Sequence, residues 1–102
     1  MLELPDKSPV VWQRFFRENR ATVYRYVIRQ INKAIEENLL EIELFKIGNV
    51  ETKVAHYKSY LPILQEAMAE FVKIEDYEYA NKTKKIIDAY HINKLIKESN
   101  EV

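Results

Sequence analysis

The 102-residue chain has no cysteine, a single glycine, three prolines and no net charge. Without cysteine there is no disulfide, no thiolate metal site and no thiol nucleophile, and the chain suits a reducing, intracellular setting. One glycine, Gly48, is too few for the glycine-rich loops that cradle nucleotide phosphates. So little glycine and proline predicts long uninterrupted elements rather than many short strands. No apolar run approaches the roughly 20 residues that span a bilayer. Glu3, Asp6 and Lys7 stand where a signal peptide needs a basic and then an apolar stretch. The expectation is one cytoplasmic domain without a membrane association, since the length allows one core but not two.

What is present is a globular mixture, 47% apolar and 31% charged. The charge is unevenly placed. Residues 1–34 carry seven Lys/Arg against three acids, a net +4. Residues 35–80 carry four lysines against ten acids, a net −6, and residues 81–102 come to +2. All five arginines, Arg14, Arg17, Arg20, Arg25 and Arg29, lie in the first third. Such asymmetry marks either a surface for an acidic partner or charges that neutralise each other within the fold or between copies.

The pattern predicts a mainly α fold. Residues 1–8 read as an N-terminal arm, with Ser8 or Asp6 as the cap of a helix and Pro9 at its first position. From Val10 to about Asn38, Trp12, Phe15, Phe16, Asn19, Val23, Tyr26, Val27 and Ala34 share one broad face at about 100° per residue. A break near 19–22 is expected, with Asn19 or Thr22 capping the second part. Residues 39–60 admit two readings. Gly48 ends a long first helix, or Gly48-Asn49 turns a short β-hairpin over about 42–57. Partial alternation in Glu41–Ile47 favours the hairpin.

Pro62 then opens a helix with a stripe of Leu64, Met68, Phe71 and Val72. Asp76 caps the next helix, in which Tyr79, Ala80, Thr83, Ile86, Ile87 and Tyr90 share a face. These two form an antiparallel helical hairpin over 62–90 with a tight turn at about 73–76. After Tyr90 the apolar phase jumps to Ile92, Leu95 and Ile96, which predicts a bend at Tyr90–His91. The tail, 99–102, is expected to fray.

Candidates for chemistry are few. His56 and His91 each sit beside a tyrosine in segments that read as partly buried, where histidine is usually a packing residue. Asp88 and His91 have the i, i+3 spacing of half a carboxylate-bridged metal site, but no second pair exists. Ser8, Ser59 and Ser99 have no nucleophile-elbow context. The expectation is a protein that is not an enzyme, with no cofactor, no metal and no small-molecule substrate.

Two surfaces remain as binding candidates. Arg14, Arg17, Arg25 and Arg29 form a basic stripe opposite the aromatic face of the first helix, suited to nucleic-acid phosphates. The competing reading pairs these arginines with acids of residues 35–80, in the same chain or another copy. The second surface is the turn of the C-terminal hairpin with the lysines beyond it, Glu75, Asp76, Tyr77, Glu78, Lys84 and Lys85.

The run LQEAMAEFVKIEDYEYANKTKKII at Leu64–Ile87 resembles the UVR motif through Leu64, Ala67, Met68, the Glu75-Asp76-Tyr77-Glu78 turn, Ala80 and Ile86-Ile87. That motif is a helical hairpin of bacterial excision-nuclease subunits and of some adaptors of the Clp protease system. Where the family carries an Arg-Asp pair this chain has Lys84-Lys85, and where it carries a second alanine this chain has Asn81. The resemblance implies protein–protein contact without catalysis, often between two copies. The sequence therefore leads to a small non-catalytic interaction or adaptor module, with a homodimer as the expected assembly. The alternative is a nucleic-acid-binding accessory protein.

Overall fold

A computed structural model describes residues 2–4, 9–47 and 51–100, with side chains described over 13–45 and 53–99. Its elements are β1 (Leu2–Leu4), α1 (Pro9–Glu18), α2 (Arg20–Glu36), β2 (Glu41–Ile47), β3 (Glu51–His56), α3 (Tyr57–Lys73) and α4 (Tyr77–Asn100). The predicted mainly helical fold, with its β-hairpin and C-terminal helical pair, is present.

Several details differ from the sequence reading. Leu2–Leu4, expected in an arm, pairs in parallel with β2, Leu2 opposite Phe45 and Leu4 opposite Ile47. The remainder of that arm, the caps proposed at Asp6 and Ser8, the Gly48-Asn49 turn and the last two residues of the tail lie outside the described residues. The helix break is at Asn19, but the side chain of Asn19 does not cap α2. Its Nδ2 instead donates back to the Phe15 carbonyl at 2.9 Å. Thr22 lies inside α2, beyond any cap position.

The antiparallel β2–β3 hairpin explains the imperfect alternation in the sequence. Its register shifts between Glu43 and Phe45, so Leu44 is the extra residue of a bulge. A bulge re-phases the strand, and the consecutive Leu44 and Phe45 are both buried. Phe45 packs between Phe16 of α1 and Tyr26 of α2, with ring centroids 5.4 and 5.6 Å away. Tyr26 also donates its hydroxyl to the Leu44 carbonyl at 2.8 Å.

Helix α3 begins at Tyr57, five residues before the expected start, and Pro62 lies within it. Tertiary packing overrides the proline signal here. Tyr60 is fully buried and donates to the Leu39 carbonyl at 3.2 Å, while the Tyr57 amide donates to the Leu40 carbonyl at 2.7 Å. Pro62 sits on the exposed side, where the carbonyl it leaves without a donor can meet water.

Helix α4 runs unbroken past Tyr90–His91, so the predicted bend is absent. The phase jump has another cause: Ile92, Leu95 and Ile96 are 60%, 64% and 57% exposed, and the buried face never followed them. Asn93 points inward instead, donating to Asn38 Oδ1 at 2.8 Å and to the Ile35 carbonyl at 3.4 Å. The core is built from Ile28, Ile31, Leu64, Ala67, Phe71 and Thr83 among its most enclosed members, contributed by α2, α3 and α4.

Candidate interaction surfaces

The α3–α4 turn is closed by backbone bonds. The Asp76 amide donates to the Phe71 carbonyl at 2.8 Å and the Glu75 amide to the Val72 carbonyl at 3.1 Å, the double bond of a Schellman ending. Glu75 supplies the left-handed residue, at φ 61°. Asp76 then serves both sides of the turn. Its Oδ1 accepts the Tyr79 amide at 3.3 Å as an N-cap, and its Oδ2 accepts from Arg25 at 2.5 Å. The Arg25 hydrogen bond holds the Asp76 carboxyl below the usual carboxylate range, and the same bond raises Arg25 further. The Tyr79 ring has Arg25 Cζ and Lys82 Nζ each 4.7 Å from its centroid. Tyr77 is 63% exposed, and Val72 and Ile74 at the end of α3 are also exposed. Glu78 pairs with Lys82 at 3.2 Å, and Lys84 and Lys85 point to solvent.

The four arginines of the basic stripe are not equivalent. Arg14 pairs with Glu18 at 3.0 Å, and Arg25 is committed to Asp76. Arg17 lines a groove with Gln13, Phe16, Arg20 and Tyr24 at the α1–α2 junction, whereas Arg29 lines a different cleft. Arg20, outside the stripe, meets Glu70 of α3 at 3.6 Å. The acids that neutralise α2 thus come from α3 and the turn.

The fold brings members of the two candidate sets together. Arg25 bonds Asp76, and Arg29 stands across a cleft from Lys85. That cleft, about 330 Å³, has Ile28, Ile86 and Tyr79 as its floor and Arg29, Lys82 and Lys85 around it. No described acid lines it. Helices α2 and α4 flank it and run in the same direction, since Arg25 meets Asp76 and Tyr79 at the start of α4 while Ile35 and Asn38 meet Asn93 further along.

The surface that the sequence reading did not single out lies at the far end of α4. With about 1.5 Å of rise per residue, the 24-residue α4 outruns the 17-residue α3 by about 10 Å. Leu95 and Ile96 occupy this stretch with Ile92 just before it, and Leu40 beyond α2 is 67% exposed. The phase jump after Tyr90 was the available signal; it marked an exposed apolar flank rather than a bend.

Other candidate chemistry stays dispersed. His56 Nδ1 is 3.5 Å from Glu41 on the surface, His91 lies edge-on to Tyr90, and Asp88 is exposed. Among the described residues no three His, Asp or Glu side chains gather as metal ligands, and no helix is long and apolar enough to cross a membrane. Comparison with known protein families, with curated proteins and with solved structures finds no match for this chain.

Proposed function

We propose that the chain is a non-catalytic protein–protein interaction module whose partner is a second copy of itself. The observation that carries this is the exposed apolar end of α4, where Ile92, Leu95 and Ile96 lie within a few turns of one another. Large side chains grouped in this way on a small domain mark an interaction site more often than scattered exposure does. The dimensions agree. The radius of gyration is 14.8 Å and the extents are 47 × 34 × 16 Å, against about 13 Å expected for a compact chain of this length. A second copy is favoured because zero net charge combined with oppositely charged thirds lets one copy complement another. The resemblance of Leu64–Ile87 to a hairpin that pairs between proteins points the same way.

Sedimentation velocity on an Ile92→Ser, Ile96→Ser variant tests the reading. It predicts that the wild-type chain sediments as a dimer and the variant as a folded monomer. Equal sedimentation of the two as monomers would remove it.

A second reading has one observation in its favour, the convergence of Arg29, Lys82 and Lys85 on a cleft without an acid. In that reading the cleft takes a nucleic-acid phosphate, with Arg17 as a further contact. Affinity for an oligonucleotide then falls steeply with salt, and each cation removed lowers the salt slope by about one. The apolar end of α4 has no role in this reading, which is why it stands second.

A further inference from the structure

The seam between α2 and α4 has opposite characters at its two ends. Arg29 and Glu36 are two turns apart and fall on the same outward flank of α2. On the adjoining flank of α4, Lys82 and Lys85 are followed by Ile92, two turns beyond Lys85, and by Ile96 a further turn on. One half of the seam therefore carries Arg29, Lys85 and Lys82, the last paired with Glu78, and the other is acidic and apolar, with Glu36, Ile92 and Ile96. Arg29 and Glu36 are exposed, and neither has an ion pair among the described residues. Glu36 is only lightly engaged, accepting from Asn32 Nδ2 at 3.4 Å. At the midpoint stand Asn32 and the small Ala89, both half-buried.

A surface with complementary halves matches itself after a half-turn. We infer that a second copy docks on this seam about a two-fold axis passing near Asn32 and Ala89, each helix facing its own antiparallel counterpart. The inference rests on the reading of the chain as a self-associating module and assigns the surface. In this arrangement Arg29 meets the partner's Glu36, and the same contact recurs by symmetry. The aliphatic stems of Lys82 and Lys85 lie across the partner's Ile92 and the partner's Ile96, keeping their ammonium groups in water. The contact closes on itself, so it yields a dimer rather than a filament.

Charge exchange at Arg29 and Glu36 tests this arrangement, read by sedimentation equilibrium on full-length chains with helicity checked by circular dichroism. R29E and E36R each place like charges opposite one another twice, and each is expected to weaken the dimer by at least about 100-fold. An equimolar mixture of R29E and E36R pairs opposite charges at both contacts and is expected to dimerise, as is the doubly exchanged chain. A charge effect confined to one copy would not produce dimers on mixing. If the wild-type chain dimerises and the single variants dimerise equally well, the seam is not the interface although self-association stands. If the single variants are monomeric and mixing restores nothing, the antiparallel register is overturned. A wild-type chain monomeric at every concentration removes both the seam and the self-association reading.

Discussion

Arg25 and Asp76, 51 residues apart in sequence, form a 2.5 Å bond that fastens the second helix to the turn between the third and fourth. Asp76 also caps α4, so one carboxylate fixes where the last helix starts and how it lies against α2. Arg25 in turn lies over Tyr79, one helical turn into α4.

This bond makes a pH prediction. The folded protein holds Asp76 below its usual 3.8, mainly through the Arg25 hydrogen bond. A carboxyl depressed in the folded state contributes stability that is complete above its unfolded value and is lost as pH falls through its folded value. Asp76→Asn keeps an oxygen for the cap while removing the charge. Urea denaturation is expected to find the variant less stable than wild type at pH 7, with the gap closing in strong acid. A gap of the same size at both pH values would contradict the assignment.

The turn residue Glu75 yields a second prediction. Its φ of 61° is unfavourable for a residue with a Cβ and costs glycine nothing sterically. Glu75→Gly is expected to stabilise the protein by about 0.5–1 kcal/mol, the steric relief less the entropy that glycine loses on folding. Asn38 has φ 57° at the end of α2, but its side chain accepts from Asn93 at 2.8 Å. Asn38→Gly therefore gains at the backbone and loses a hydrogen bond, and is expected to be close to neutral. Thermal melts of the two variants check the contrast.

Within the core, Phe71 and Thr83 are both fully buried, yet their replacements differ. Phe71→Ala leaves a large cavity and is expected to cost about 3–5 kcal/mol. Thr83 donates its hydroxyl to the Tyr79 carbonyl of its own helix at 2.7 Å. That carbonyl is also the normal α-helical acceptor for the Thr83 amide, so Thr83→Val leaves no buried group unpaired. A change under about 1 kcal/mol is expected. Equilibrium denaturation separates the two.

The helical face of 77–90, the hairpin strands and the turn near 74–75 were legible because periodicity and capping reflect local physics. The helix ends were harder to read. Asn38 and Glu75 do the work that glycine usually marks, so α2 and α3 stop without a glycine signal. Pro62 misled because the buried Tyr60 draws the start of α3 upstream of it. The bulge at Leu44 broke an alternation that would otherwise have been plain. For the surfaces, the sequence named Arg25 and Asp76 as members of rival sites, since ion pairs between distant residues leave no periodic trace. The shift of apolar phase to Ile92, Leu95 and Ile96 implied a bend at Tyr90–His91, because hydrophobicity alone does not distinguish a face that turns with the chain into the core from one left exposed on a straight helix.

The most direct test of the central claim is light scattering after size exclusion of the wild-type chain, across a concentration series at low and moderate salt, with and without a mixed single- and double-stranded oligonucleotide. A self-associating chain is expected to run at a mass near twice the 12.2 kDa of one chain, unchanged by the oligonucleotide. A chain that stays at its single-chain mass at every concentration, or that shifts onto the oligonucleotide in a salt-sensitive way, would contradict it.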